Sequence, residues 1–316
     1  MTLLDDPVLI RVYAGIFAVL TAATGVETVL RSHVVDDRAR ALLLEVDARI
    51  RSWWVISLVY VASVLAGRPG LVVLFAALSF IALREFITLV PTRRADHVSM
   101  WCCFFVAVPL QYGLIATNRL EPMLVAMPLF AAIALPLAAA LAGDTCRFSS
   151  RSAQLGCGLL LCVYCLSHAP ALFMLDTSGD GGHNGRLLLY LILVVESSDV
   201  LQYLWGKALG RHAIASRVSP SKTVEGLVGG VVCASGLGAA LWWLTPFTPA
   251  GAAIFAFVLT LAGFAGGLIM SAVKRDYGVK DFGAMIPGHG GVLDRVDSLI
   301  VAAPVCFHLT RSLATS

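Results

Sequence analysis

The 316-residue sequence predicts an all-α protein, a polytopic transmembrane helical bundle. Three observations predict it. The chain is 58% hydrophobic and only 14% charged, with a mean hydropathy of +0.84, whereas a soluble domain carries about 25% charged residues. Apolar runs recur along its length, and a helix needs roughly 17–25 such residues to cross a bilayer. Finally, Lys and Arg alternate between rich and poor connecting segments. Five lie in 31–51, two each in 91–99 and 143–152, and four each in 207–224 and 271–295; the opposite segments hold Arg11, Arg68, Arg119, Arg186 and Arg311.

The runs are 9–29, 52–67, 70–90, 100–116, 122–142, 153–174, 187–206, 225–243, 250–270 and 296–313, so about 10 spans are expected. Gly67-Arg68-Pro69-Gly70 reads as a tight turn between the second and third. In 36–51, Leu42, Leu43, Val46 and Ile50 share a helical face and Trp53 and Trp54 follow, which predicts an interfacial helix with an aromatic anchor. Positive residues favour the cytoplasmic side, so the basic set of segments is expected to face the cytoplasm and both termini the outside. No cleavable signal peptide is expected, because Met1 to Asp6 carries no Lys or Arg. The net charge of +3 is too small to imply a nucleic-acid partner. Cys162 and Cys165, like Cys102 and Cys103, lie in apolar runs, where they read as small packing residues rather than redox or zinc sites.

Against this apolar background, the stretch Ser271–Ser298 is exceptional. It gathers Lys274, Arg275, Asp276, Lys280, Asp281, His289, Asp294, Arg295 and Asp297 between two apolar runs, and charge at membrane depth is costly enough to mark a functional site. Pro287-Gly288-His289-Gly290-Gly291 lacks bulky side chains, so its backbone N–H groups can approach phosphate oxygens. Asp294 and Asp297 fall one helical turn apart, a carboxylate pair suited to Mg²⁺, which is bound by oxygen and keeps waters that phosphates can replace. The bland alternative is a solvated loop with a capping aspartate.

A second stretch, 196–226, carries Asp199 within an apolar run and then Ser219-Pro220-Ser221-Lys222-Thr223. Hydroxyls and an ammonium are phosphate-binding groups, although S-P-x-K-T before Glu225 also reads as a helix start.

Together these stretches resemble the phosphatidate cytidylyltransferases, or CDP-diacylglycerol synthases. The resemblance rests on Ser271, Lys274, Arg275, Lys280, Asp281, Pro287, Gly288, His289, Gly290, Gly291, Asp294, Arg295 and Asp297. An earlier block adds Asp199, Tyr203, Gly206, Lys207, Gly210, Arg211, Ser219, Pro220, Lys222, Thr223, Glu225 and Gly226. So many fixed positions at fixed spacing make a specific signature, covering about residues 190–310. The chain departs from it twice. Gly267 stands where many bacterial members carry a metal-binding Asp, and Gln202 where many have a small residue.

The resemblance implies a CMP transfer from CTP to phosphatidate, giving CDP-diacylglycerol and pyrophosphate, with Mg²⁺ as cofactor and a second cation as an open addition. Asp294 and Asp297 are then the expected metal ligands, with Asp281 and Asp199 as further acidic candidates. Lys222, Lys274, Arg275, Lys280 and Arg295 are expected to clamp triphosphate and lipid phosphate. Gly290 and Gly291 would supply backbone donors, Ser219, Ser221, Thr223 and Ser271 substrate contacts, and His289 a hydrogen bond. Residues 1–190 are then N-terminal membrane helices and 191–316 the catalytic region of a single membrane domain. The expected setting is a bacterial inner membrane with the site on the cytoplasmic face. Membrane lipids are expected partners, and a homodimer is left open. The alternatives are a related lipid phosphate as substrate or, from another class, a membrane transporter.

Overall fold

The computed structural model describes residues 6–33, 37–175, 183–285 and 290–314, and all that follows concerns these. The architecture is an all-α membrane bundle. Nine helices are long and apolar enough to span. In order, α1 is Pro7–His33, α2 Asp37–Leu65 and α3 Gly67–Leu89. Next come α4, Arg94–Ala116, α5, Leu120–Leu141, and α6, Phe148–Met174. After α7, His183–Leu209, a shorter apolar helix follows as α8, Val224–Ala240, then α9, Pro249–Asp276, and α10, Leu293–Ala314.

Three expectations need correcting. Residues 37–51 do not form a separate interfacial helix but run without a break into the second span as α2. The reason is local: nothing between Asp37 and Leu65 is Gly or Pro, so no residue interrupts the hydrogen-bond ladder. The connection after α7 is also more than a loop. Ala213–Ala215 (β1) and Ser219–Thr223 (β2) pair antiparallel, with Ala213 opposite Thr223 and Ala215 opposite Ser219.

Three helices contain wide π-type turns: Cys103–Ala107 in α4, Phe130–Ala134 in α5 and Leu160–Cys165 in α6. Pro109, Pro136 and Pro170 follow them closely. Each proline removes an N–H and crowds the preceding turn, and local widening relieves both. The turn expected over 67–70 is displaced: Ala66 makes the corner and residues 67–70 form the first turn of α3. Gly67 takes a φ of +71°, which favours glycine, and Arg68 Nη2 donates to the Ile115 carbonyl at 2.8 Å.

Helices α7, α8, α9 and α10 pack consecutively, and α10 also lies against α6 and α3, so it joins the C-terminal helices to the N-terminal ones. The core between them includes Phe86, Leu159, Leu166, Tyr190, Ile300 and Phe307, all essentially sealed from solvent. Helices α7 and α8 pack closely. A Cβ on Gly230 would stand 2.3 Å from Gln202 Cγ and 2.9 Å from its Cα. The large Gln202 therefore fits because the facing residue has no side chain.

Candidate functional site

The second motif block folds around its own glycines. Thr223 N-caps α8, its hydroxyl accepting from Gly226 N–H at 3.1 Å. Gly206, Gly210 and Gly226 crowd the same hydroxyl, each so close that a Cβ would come within 3.2 Å of it. Glu225 then accepts the backbone N–H groups of Arg211 and His212 and pairs with His212 Nδ1 at 2.6 Å. Thr223 and Glu225 are thus occupied in fixing the hairpin between α7 and α8. The helix-start reading of this stretch holds for Thr223, whereas Lys222 is left pointing into the bundle.

The Lys222 ammonium is half-buried, 4.9 Å from the centre of the Phe264 ring. A Cβ on Gly267 would lie 2.6 Å from Nζ. The ammonium therefore occupies the space above Gly267. Burial lowers the Lys222 pKa from its ordinary value, and the charges of Asp199 and Asp297 oppose that effect.

Those two carboxylates come from different helices, Asp199 from α7 and Asp297 from α10, and meet at Ser298. The Ser298 hydroxyl donates to Asp199 Oδ2 and lies 3.3 Å from Asp297 Oδ1, while its N–H donates to Asp297 Oδ1 at 2.8 Å. Glu196, one turn before Asp199, lies close enough to Asp199, Asp297 and Arg295 to interact with their charges. A set of carboxylates in a poorly solvated place requires compensating cations, and Lys222 and Arg295 provide them.

Asp294 behaves differently from Asp297 although one turn away. Its Oδ1 accepts from Lys274 Nζ at 2.8 Å, and its Oδ2 from Phe282 N–H at 2.8 Å and Gly291 N–H at 3.0 Å. Side-chain exposures of 13% for Lys274 and 6% for Asp294 make this a shielded pair, charge-assisted on every bond. Asp294 therefore holds the chain on both sides of the glycine-rich segment. Gly290 adopts a φ of +81°, which favours glycine there.

The remaining expected residues are distributed around this centre. Arg275 donates from Nε to Val218 O at 3.2 Å and from Nη1 to Val279 O at 3.3 Å, bracing the hairpin turn against the segment after α9. Ser271 donates back along α9 to Gly267 O at 2.6 Å. Ser219 is buried in β2, whereas Ser221, Lys280 and Asp281 are exposed. Asp281 is near the loop, its Cβ 3.5 Å from the position of a Gly290 Cβ. His289, Pro287 and Gly288 lie outside the described residues.

Sequence reasoning missed Glu85, Glu196 and Ser298 as parts of this arrangement. Glu196 and Ser298 had a signal, being one turn before Asp199 and next to Asp297. Glu85 had as a signal only its place near the end of an apolar run. Arg84 is exposed, but Glu85 turns inward.

The donor set has the chemistry for Mg²⁺: hard carboxylate oxygens from Asp199 and Asp297, with Ser298 between them. Among the described residues no three His, Cys, Asp or Glu side chains gather closely enough to hold a metal by themselves. The geometry as a whole offers paired carboxylates, a half-buried ammonium and further cations at the N-terminus of α10, an arrangement suited to positioning phosphates.

Comparison with known proteins agrees. A sequence model of the cytidylyltransferase family matches residues 47–313. An uncharacterized protein of Escherichia coli, YnbB, is 38% identical over 301 residues, covering 94% of this chain and 97% of the relative. The phosphatidate cytidylyltransferase of Bacillus subtilis is 28% identical over 276 residues, covering 84% and 98%. That of Staphylococcus aureus strain COL is 37% identical over 136 residues, 42% of this chain and 51% of the relative. The chain is a membrane-embedded nucleotidyltransferase and belongs to the cytidylyltransferase family.

Proposed function

We propose that this enzyme transfers CMP from CTP to phosphatidate, releasing pyrophosphate and forming CDP-diacylglycerol, at the cytoplasmic face of the membrane. The observation that carries the reading is the meeting of Lys222, Asp199, Asp297 and Ser298 beside Gly267. Three separate elements, β2, α7 and α10, deliver these groups to the face of α9 at Gly267, in an otherwise apolar bundle. The names of the B. subtilis and S. aureus relatives support the choice of substrate.

In the proposed reaction an oxygen of the lipid phosphate forms a bond to the α-phosphorus of CTP, and the bond from that phosphorus to the β-bridging oxygen breaks. The electron pair leaves with pyrophosphate. The nucleophile is already an anion, so no strong general base is needed, and the protein's task is positioning and charge neutralisation. Asp199 and Asp297 would hold Mg²⁺, which offsets charge on the transferring and leaving phosphates. Lys222 would contact a phosphate oxygen from the buried side. Lys274 is held by Asp294 and Arg275 by the hairpin backbone, so their charges are oriented before substrate arrives. The basic connecting segments, rich in Lys and Arg, support a cytoplasmic placement, where nucleotide is present. The lipid tails would remain in the bilayer beside the site.

The test is incubation of purified protein with labelled CTP, Mg²⁺ and a panel of lipid phosphates including phosphatidate and a polyprenyl phosphate. Labelled CDP-diacylglycerol with stoichiometric pyrophosphate is expected. Turnover only with the polyprenyl phosphate would move the reading to another lipid. Flux into liposomes without CTP turnover would replace it with a transporter.

A further inference from the structure

Glu85 lies in α3, 207 residues before Val292 in the chain. Its Oε1 accepts the Val292 N–H at 3.0 Å and its Oε2 the Leu293 N–H at 2.8 Å. These are N–H groups at the very start of α10, where a helix has no internal acceptors to offer, and a negative group there also complements the helix dipole. The contact is close on every side. A Cβ on Gly283 would stand 2.7 Å from Oε1, and one on Gly291 2.5 Å from Oε2. Glu85 itself is only 6% exposed.

Two carboxylates therefore grip adjacent backbone. Glu85 holds Val292 and Leu293 from the N-terminal helices, and Asp294 holds Gly291 and Phe282 while orienting Lys274. The backbone donors at the start of α10 are thus engaged by the protein's own carboxylates. The Gly291 N–H, one of the donors expected for phosphate, is among them.

We infer that Glu85 is a positioning residue for nucleotidyl transfer: a buried α3 carboxylate that fixes the start of α10 and, through it, Asp294, Lys274 and Asp297. The inference rests on the reaction proposed above. It also gives the N-terminal helices a direct part in the site. A change at Glu85 loosens the first turn of α10 without removing any group that touches substrate.

The experiment uses the full-length protein and the variants Glu85→Gln and Gly291→Ala. Gln keeps the volume but turns an amide NH₂ toward one of the two N–H groups; Ala at 291 displaces the carboxylate from the loop side. Two readouts are taken: CTP turnover across a Mg²⁺ titration, and hydrogen exchange at Gly291, Val292 and Leu293. The expected result is a fall in kcat of about ten-fold or more and a higher Mg²⁺ concentration for half-maximal rate. KM for CTP should stay within about three-fold, and Val292 and Leu293 should exchange faster than the rest of the fold, with a lowered Tm but a retained cooperative unfolding transition. Wild-type kcat and Mg²⁺ dependence in both variants would overturn the inference. If Glu85→Gln does not fold, Gly291→Ala decides alone by the same criteria. A wild-type protein inert toward CTP, with faster exchange confined to these amides in the variants, would leave the clamp standing and sink the reaction.

Discussion

Lys222 and Gly267 stand in direct steric relation: the ammonium of the one fills the space in which the other would carry a side chain, 2.6 Å from its Cβ position. Gly267 is where many bacterial members of this family have a carboxylate. In this chain the position instead admits a cation, which leaves Asp199 and Asp297 as the carboxylates facing Lys222. Gly267→Ala should push the ammonium aside. Because only the end of a flexible side chain must move, Tm should change little. Turnover should fall about ten-fold, near 1.4 kcal/mol, and Lys222→Ala added to it should cost much less than Lys222→Ala alone. Full activity in Gly267→Ala would show that the exact seat of the ammonium does not matter.

Asp297 and Asp294 should separate in their phenotypes. Asp297→Asn and Asp199→Asn keep the side-chain shape, and each removes a charge that both repels the other carboxylate and attracts Lys222, so Tm should change little. Each should slow turnover by about 10²-fold or more and alter the Mg²⁺ titration, and the double variant should be little worse than the poorer single. Asp294→Asn breaks the pair with Lys274 and should lower Tm together with activity. An unaltered Mg²⁺ titration in Asp297→Asn would remove that residue from the proposed metal site.

The α7–α8 seam gives a stability prediction without reference to chemistry. Gly230→Ala drives a methyl against Gln202 backbone and should destabilise by about 1–3 kcal/mol. Gly236, on the same helix, has nothing within 4 Å of its Cβ position, so Gly236→Ala should be neutral or stabilising by up to about 1 kcal/mol. Thermal unfolding in one detergent compares the two, and equal Tm values would contradict the seam.

Topology is tested at Lys280, which is exposed in the segment after α9. On a background without native cysteines, Lys280→Cys should resist an impermeant thiol reagent in intact cells and react after the membrane is opened. Labelling in intact cells would place this segment outside and reverse the charge-based orientation.

What the sequence determined by itself was the class of fold and the identity of the chemical groups. Ten apolar segments were legible because spanning a bilayer demands an uninterrupted run of suitable length. The family motifs were legible because phosphate chemistry requires particular residue types at fixed spacing. The tertiary structure decided which of those groups work together. Sequence spacing paired Asp294 with Asp297, but side chains one turn apart on α10 face different neighbours: Lys274 and two backbone N–H groups for the first, Ser298 and Asp199 for the second. Thr223 proved a helix cap, one of the two readings the sequence offered, and the glycines of α7 and α8 packed around its hydroxyl decided between them. The role of Glu85 could not be read from the chain. Its partners are backbone N–H groups 207 and 208 residues away, and a backbone amide carries no sequence signature; only folding brings it to a carboxylate.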